Sequence, residues 1–293
     1  MKPRFDYKRL LAFLFVLVAY VLATIVGIFV FRYFIGLAYH PLWSIFLADV
    51  AMTLFIYLIG LIINNASMYD PYWSVITLLY GLLYMFAYGD YSVPILIANG
   101  VIAVWSFRLT ANWMYTFKTL KKQDWRYDYL KEKSGVFYPI VNLFGIHLIP
   151  TLFVFAALLP VLMMFLRNPG FRPLMVVGAI VSLLGVALEL VSDIQMQRFR
   201  NTNTNRKAII RIGLWKYSRH PNYLGEITFW WGLFLMVIVL MPTMWYLVFG
   251  PIAMTFMFLV ISIPLAEKRL ARTKDGFAEY VETTRMLLPL PKK

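Results

Sequence analysis

The chain has 293 residues, of which 61% are hydrophobic, 18% aromatic and 14% charged. Soluble domains carry about 25% charged residues, so this composition excludes an ordinary soluble fold. The formal net charge is +14, but the basic residues flank apolar segments, which indicates membrane topology and no nucleic-acid partner. The chain has no cysteine, which excludes a disulfide framework, a thiolate nucleophile and a thiolate metal site.

Long apolar segments recur along the whole chain. A helix needs about 20 apolar residues to cross a hydrocarbon core of about 30 Å. Eight segments come near or exceed that length: 10–31, 42–63, 73–89, 93–108, 138–166, 171–192, 223–241 and 243–265. The sequence therefore predicts an all-α polytopic integral membrane bundle of about eight transmembrane helices, in one domain over residues 1–293. We expect a multi-pass protein surrounded by membrane lipids, in a bacterial inner membrane or a eukaryotic endoplasmic reticulum.

The basic residues form four groups, one before the first span and one after each of spans four, six and eight. They include Lys2 and Arg4, Arg108 and Lys118, Arg206 and Lys207, and Lys292 and Lys293. With eight spans all four groups fall on one side, and the positive-inside bias makes that side cytoplasmic. Both termini are therefore expected in the cytoplasm, with polar loops near 109–137 and 194–218. The tail 266–293 is predicted to contain an amphipathic helix that ends at Pro289.

An acidic and aromatic cluster joins spans two and three. Asp70 lies between Tyr69 and Tyr72, and the segment around it has no Lys or Arg. A carboxyl group in aromatic surroundings can have a raised pKa and act as a proton donor. The alternative is that Asp70 caps the helix that Pro71 opens.

A second cluster occupies the end of span six. Glu189 and Asp193 are four residues apart and share one helix face, and Arg198 and Arg200 follow. These residues can form a structural ion network. They also suit a nucleotide, because carboxylates accept hydrogen bonds from ribose or amide groups and guanidinium groups bind phosphates.

A third cluster opens span seven. Pro221 keeps the preceding residues out of the helix and suits its first turn. Glu226 follows one turn into the membrane, where a carboxylate either serves a ligand or pairs with an interfacial Arg or Lys. The cluster comprises Lys216, Arg219, His220, Asn222, Tyr223 and Glu226. No Gly-rich phosphate turn occurs, so Arg198, Arg200, Lys216 and Arg219 are the predicted phosphate contacts.

The run GLWKYSRHPNYLGEITFWWG, from Gly213 to Gly232, resembles the C-terminal signature of the steroid 5-alpha-reductase family, and the chain resembles that family's DUF1295 group. The resemblance covers roughly residues 65–290. Further matching segments are DPYWS at 70–74, RLTANW at 108–113, DWRY at 124–127, ELVSD at 189–193 with Phe199 and Arg200, and the closing Glu267, Tyr280, Arg285 and Pro289.

The resemblance implies NADPH-dependent reduction of a carbon–carbon double bond conjugated to a carbonyl, in a lipid-soluble or steroid-like substrate. The positions that match the family's cofactor contacts are Asp193, Arg200, Asn222 and Glu226, and Glu189 stands where steroid reductases carry Asn. Asp70 is the best match for the family's substrate-side Glu, whereas Trp105 stands at the position of its Tyr. Asp70, assisted by Tyr69 or Tyr72, is therefore the expected acid that stabilises developing negative charge on oxygen.

Two other functions fit parts of the pattern. Membrane methyltransferases of the isoprenylcysteine and phospholipid type share an RHPxYxG run and use S-adenosylmethionine, although an acid after that glycine favours the reductases. A non-enzymatic transporter or scaffold would place ionisable residues at mid-membrane depth, as Asp49 in span two suggests. His40 and His147 have no second ligand at metal-binding spacing, so we expect no metal.

Overall fold

The computed structural model describes residues 7–290, so Lys2, Arg4, Lys292 and Lys293 lie outside the described residues. The protein is 81% helical, and the described residues form no β-strand. Pro41, Pro139, Pro221 and other prolines lie in first turns, where a missing N–H costs nothing. The all-α prediction is confirmed.

The helices follow the chain in the order of the predicted spans. A π-helix, Asn142–Leu148, lies between the sixth and seventh of them. Their bounds are α1 Tyr7–Gly36, α2 Pro41–Ile62, α3 Tyr72–Tyr88, α4 Val93–Thr116, α5 Trp125–Ser134, α6 Tyr138–Val141, α7 Ile149–Arg167, α8 Met175–Thr202, α9 Pro221–Leu240, α10 Phe249–Met257, α11 Ile263–Thr273 and α12 Phe277–Thr283.

Seven helical segments in the described part of the chain are long and apolar enough to cross a membrane. They are Tyr7–Gly36, Pro41–Ile62, Val93–Thr116, Trp125–Arg167, Met175–Thr202, Pro221–Leu240 and Pro242–Thr273. The predicted span 73–89 forms α3, whose 17 residues extend roughly 25 Å. The class of integral multi-pass membrane protein is thereby supported. Placing both termini in the cytoplasm requires α3 to cross as well, and it stays a prediction.

Several helices continue beyond the apolar segments that predicted them. Helix α4 ends at Thr116 and α5 begins at Trp125, so both occupy part of the segment 109–137 that was predicted as a loop. Helix α8 likewise runs to Thr202, inside the predicted loop 194–218. Backbone hydrogen bonding continues where a helix leaves the hydrocarbon, because neither segment contains Gly or Pro at that point. The predicted tail helix is interrupted at Gly276, whose φ is +72°.

The chain divides into two compact units, and the prediction of one domain over 1–293 stays a prediction. Unit 1 comprises Met1–Thr77 and Leu109–Phe155. Within it α1 packs on α2, where Gly27 leaves room for the side chain of Met52: a Cβ added to Gly27 would lie 2.8 Å from Met52 Cγ. Tyr20 donates a hydrogen bond of 2.5 Å to the carbonyl of Met68. These contacts tie the first helix to the segment that carries Asp70.

Unit 2 comprises Leu78–Arg108 and Ala156–Lys293, and its central feature is the contact between α8 and α9. Gly178 and Gly185 on α8 face Gly225 and Gly232 on α9. A Cβ added at Gly185 would lie 2.6 Å from the carbonyl oxygen of Gly225, far inside van der Waals contact. Ser182 adds a hydrogen bond of 3.0 Å to the carbonyl of Phe229. The two backbones therefore approach as closely as small residues allow in membrane helix pairs.

This contact predicts that Gly185→Ala destabilises the protein. The added methyl group would meet main-chain atoms of Gly225 and Phe229, which cannot move without separating the helices. We expect a loss of about 1–3 kcal/mol, the usual cost of overpacking, seen as a lower thermal midpoint in detergent. Gly100→Ala is the matched control, because nothing lies within 4 Å of its Cβ position and alanine favours helix. Equal midpoints for the two variants would contradict the close helix contact.

Candidate functional site

A buried cluster of charged side chains lies in unit 2, on the α9-facing side of α8. Arg108, at the end of span four, donates through Nη2 to Glu189 and through Nη1 to Asp193 at 2.9 Å. The exposed fractions of the three side chains are 7%, 3% and 18% respectively. The four-residue spacing of Glu189 and Asp193 lets one guanidinium group bind both carboxylates in a forked geometry. The shared helix face predicted from the sequence is present.

Glu226, on the second turn of α9, faces this cluster. Its Oε1 accepts a hydrogen bond from the Trp230 indole and its Oε2 accepts one from the Trp105 indole, both at 3.0 Å. Trp105 is fully buried and stacks on Phe229 with ring centroids 4.7 Å apart. Trp105, which has no hydroxyl group, therefore orients a carboxylate through its N–H.

Basic side chains surround the far end of α8. Arg198, Arg200 and Lys216 are exposed. Arg200 follows Asp193 by seven residues on the same helix face, and its positive charge acts on the Asp193 carboxylate. Burial lowers the pKa of Lys274, and the nearby charges of Arg200 and Arg269 lower it further. Helix α8 thus carries acids in its buried part and basic groups where it ends.

Arg219 and His220 are engaged inside unit 2. Arg219 Nε donates to Glu267 Oε1 at 2.8 Å, and its Nη1 donates to the carbonyl of Thr284 at 2.6 Å. His220 Nε2 lies 3.0 Å from the same Glu267 oxygen, and its ring stacks on Tyr223. Both basic side chains are more than nine-tenths buried. The structure places them in a fixed ion network, whereas Asn222 remains half-buried on the first turn of α9.

The same network fastens the C-terminal segment to the start of α9. The backbone N–H groups of Arg219 and His220 donate to the carbonyls of Arg285 and Met286 at 2.9 and 3.2 Å. Tyr280, which is fully buried, donates through its hydroxyl group to the carbonyl of Trp215. Glu267, Tyr280 and Arg285 belong to the pattern that carries the resemblance. In the structure they hold the residues just before α9 against the C-terminal segment.

Asp70 belongs to unit 1, in the turn before α3. Tyr127 donates a hydrogen bond to its Oδ1. Burial raises the pKa of Asp70 to about 7, and the opposing effect of Arg126 does not cancel it. A raised pKa agrees in direction with the effect expected for an acid among aromatic rings, and the role of Asp70 as a proton donor stays a prediction.

Tyr69 and Tyr72 lie in a second buried group of unit 1. Tyr72 donates to Asp49 Oδ1 at 2.9 Å, and the Tyr69 hydroxyl lies 2.7 Å from Thr151 Oγ1. The Tyr69 and Tyr72 rings stack with centroids 5.4 Å apart. Asp49 is 2% exposed, so its carboxyl group depends on this hydrogen bond in the apolar interior. The two tyrosines therefore form hydrogen bonds with Asp49 and Thr151, while Asp70 accepts its hydrogen bond from Tyr127.

Sequence reasoning missed the binding role of Arg108 and the orienting role of Trp105. From the sequence alone, Arg108 is placed among the basic residues that set topology. Its position at the end of an apolar span and within RLTANW is the signal that could have identified it as a partner for buried acids. No comparable signal marks Trp105, because an indole in an apolar helix usually packs against other apolar side chains. In residues 7–290 no group of three His, Asp or Glu side chains could hold a metal ion.

The fold and these clusters define a polytopic all-α membrane protein with a buried acidic centre in unit 2. The model of the family described as "Protein of unknown function (DUF1295)" matches residues 56–284, and the chain belongs to that family. No curated protein and no solved structure matches the chain.

The raised pKa of Asp70 predicts a pH-dependent stability. An unfolded Asp titrates near 3.9, so between about pH 4 and pH 7 the folded protein binds a proton that the unfolded chain releases. The contribution of Asp70 to stability is therefore greatest below that range and falls as pH rises through it, by at least about 1.4 kcal/mol, the equivalent of one pKa unit.

Thermal midpoints of wild type, Asp70→Asn and Asp275→Asn, measured in detergent across this range, check the prediction. Asp70→Asn should lessen the decline, whereas the exposed control Asp275→Asn should retain it in full. An undiminished decline in Asp70→Asn would mean that another group causes it.

Proposed function

We propose that the protein is a membrane-embedded reductase that uses NADPH to reduce a carbon–carbon double bond conjugated to a carbonyl in a lipid-soluble substrate. The observation that carries the proposal is the charge arrangement along α8. Glu189 is acidic and buried and Asp193 is acidic and mostly buried, whereas Arg198 and Arg200 are basic and exposed. A dinucleotide has a complementary arrangement, because its phosphates are negative and its nicotinamide end suits nearby carboxylates.

The acidic part of α8 suits the nicotinamide end. That end offers amide N–H donors, and its ring becomes positive once the hydride has left, so both features favour nearby carboxylates. Arg108 is paired with two of the three carboxyl groups there, and Glu226 is held by two indole N–H groups. These groups are fixed in place and can orient a polar ring without rearranging.

The basic end of α8 suits the phosphates. Arg200 follows Glu189 by eleven residues, or roughly 16 Å along a helix, so the basic and acidic groups of α8 lie well apart on one helix face. Arg198, Lys216 and Lys274 add positive charge near that end of the helix. Guanidinium groups bind phosphate in two-point geometry, which makes Arg200 the strongest candidate.

NADPH would supply the hydride for the β-carbon of the double bond. The residues of unit 2 would bind and orient it, and the apolar helices around them would exclude water. Asp70, Tyr69 and Tyr72 of unit 1 remain the catalytic residues predicted from the sequence. The resemblance of Gly213–Gly232 to the steroid reductase signature and the family membership are consistent with this chemistry.

One observation also favours S-adenosylmethionine. Its positively charged sulfonium and amino groups would suit the acidic cluster of Glu189, Asp193 and Glu226. That molecule has no phosphates, however, and would leave the exposed basic residues at the end of α8 without a partner. The charge arrangement therefore favours NADPH, and one binding experiment distinguishes the two cofactors.

The proposal predicts that NADPH, and not S-adenosylmethionine, raises the thermal midpoint of the purified protein. NADH should bind more weakly, because the basic residues at the end of α8 would lose the 2′-phosphate. Asp193→Ala and Arg200→Ala should each weaken NADPH binding at least about tenfold, or about 1.4 kcal/mol.

Lys118→Ala is the matched control, since it removes an exposed positive charge from unit 1. Its NADPH titration should equal that of wild type. A midpoint raised by S-adenosylmethionine alone would replace the reductase with the methyltransferase, and unchanged titrations for both α8 variants would remove these residues from the cofactor site. With NADPH bound, oxidation of the cofactor by a panel of enone lipids then identifies the acceptor.

A further inference from the structure

One oxygen of the acidic cluster has no hydrogen-bond partner. Glu189 uses Oε2 to accept from Arg108, whereas its Oε1 is buried without a donor. The Glu189 side chain is 3% exposed, so bulk water does not solvate it. A buried carboxylate oxygen without a donor is costly, whereas a protonated oxygen can itself donate.

Glu226 is the group next to Glu189. The two side chains lie within hydrogen-bonding reach of each other. Two ionised carboxylates possess acceptors only, so a hydrogen bond between them requires one proton. Both Glu226 oxygens already accept from the indoles of Trp105 and Trp230. The unpartnered Oε1 of Glu189 is therefore the position where the proton fits.

The charges that face this pair support one proton and no more. Arg108 approaches from α4, Asp193 lies one turn along α8, and Arg200 acts on Asp193 from the same helix. Glu189, Asp193 and Glu226 carry three negative charges when ionised, Arg108 and Arg200 carry two positive charges, and a single proton balances these five groups. Neutrality matters because an uncompensated charge in an apolar interior is strongly unfavourable.

The helix contact prevents the two acids from separating. A Cβ added at Gly225 would lie 2.5 Å from Glu189 Cγ, so the stem of Glu189 rests directly on the backbone of α9. Repulsion between two carboxylates held in this way is relieved by taking up a proton and not by moving apart.

We propose that Glu189 and Glu226 share one proton inside unit 2, and that this proton is transferred to the substrate in the reduction. The second half of this inference rests on the proposed function. In that step the O–H bond at Glu189 Oε1 breaks and its electron pair stays on the oxygen. The electron pair of the enolate formed by hydride addition makes the new C–H bond at the α-carbon. A proton from solvent then restores the pair.

The first test needs no cofactor. Infrared difference spectra of the purified protein, recorded above about pH 8 so that Asp70 is ionised, should show a protonated carboxyl band in wild type. Glu189→Gln and Glu226→Gln should each remove the same band, because an amide donates to the remaining carboxylate and the proton is no longer needed. Glu132→Gln, an exposed acid in unit 1, is the control and should retain it.

A spectrum unchanged by Glu189→Gln overturns the shared proton, and a band removed by Glu189→Gln but retained in Glu226→Gln assigns the proton to Glu189 alone and overturns the sharing. Because these spectra are recorded without NADPH, a negative binding experiment would not affect them.

The second test addresses the transfer. At NADPH concentrations that saturate each protein, single-turnover oxidation with an enone acceptor should slow at least about 100-fold in Glu189→Gln, a scale typical of losing a proton donor. The wild-type rate should fall at high pH, and the residual rate of the variant should not follow that profile. Wild-type turnover in Glu189→Gln would overturn the transfer while leaving NADPH binding intact.

Discussion

The close backbone contact between α8 and α9 is the constraint on which unit 2 depends. Four glycines, Gly178, Gly185, Gly225 and Gly232, remove the side chains that would otherwise hold the two helices apart. Helix association inside a membrane gains little from the hydrophobic effect, because lipid tails are as apolar as the side chains, so close packing and interhelical hydrogen bonds replace it. The contact also sets the chemistry, since it brings Glu189 on α8 beside Glu226 on α9.

Two carboxyl groups side by side in an apolar interior are unfavourable unless the fold provides donors for them. Unit 2 provides Arg108 for Glu189 and two indole N–H groups for Glu226. The buried acids of unit 1 also have hydrogen-bond donors, since Tyr72 donates to Asp49 and Tyr127 donates to Asp70. Except for Trp230, which follows Glu226 by one helical turn, these donors lie at least 23 residues from the acid they serve. Each acid therefore also fixes the packing of the elements that supply its partners.

The helices were predictable from the sequence, because hydrocarbon thickness dictates the length of an apolar segment. The predicted span 42–63 corresponds to Pro41–Ile62 almost residue for residue. The ends of α4 and α8 were not predictable in this way, since a helix can continue into polar surroundings without any apolar signal. The shared face of Glu189 and Asp193 followed from their four-residue spacing. Their partner Arg108 did not, because it lies 81 residues before Glu189 and only the fold brings the two together.

Some surroundings of the candidate cofactor residues were predictable from the sequence and others were not. The spacing of Arg198 and Arg200 predicted basic groups at the end of α8, where the structure leaves them exposed. Arg219 was expected at the phosphates from its type and its motif, yet the fold pairs it with Glu267 and with the carbonyl of Thr284. Local sequence cannot distinguish a guanidinium group that awaits an anion from one whose partner arrives 48 residues later.

The central claim is that the α8–α9 contact couples Glu189 to Glu226, and a double-mutant cycle measures that coupling directly. Reversible unfolding of wild type, Glu189→Ala, Glu226→Ala and the double variant should give a coupling free energy of at least about 1 kcal/mol, as for residues in direct contact. The exposed Glu279 offers the reference cycle, in which Glu189→Ala and Glu279→Ala should be additive. Additivity of the Glu189 and Glu226 substitutions within about 0.5 kcal/mol would contradict the account.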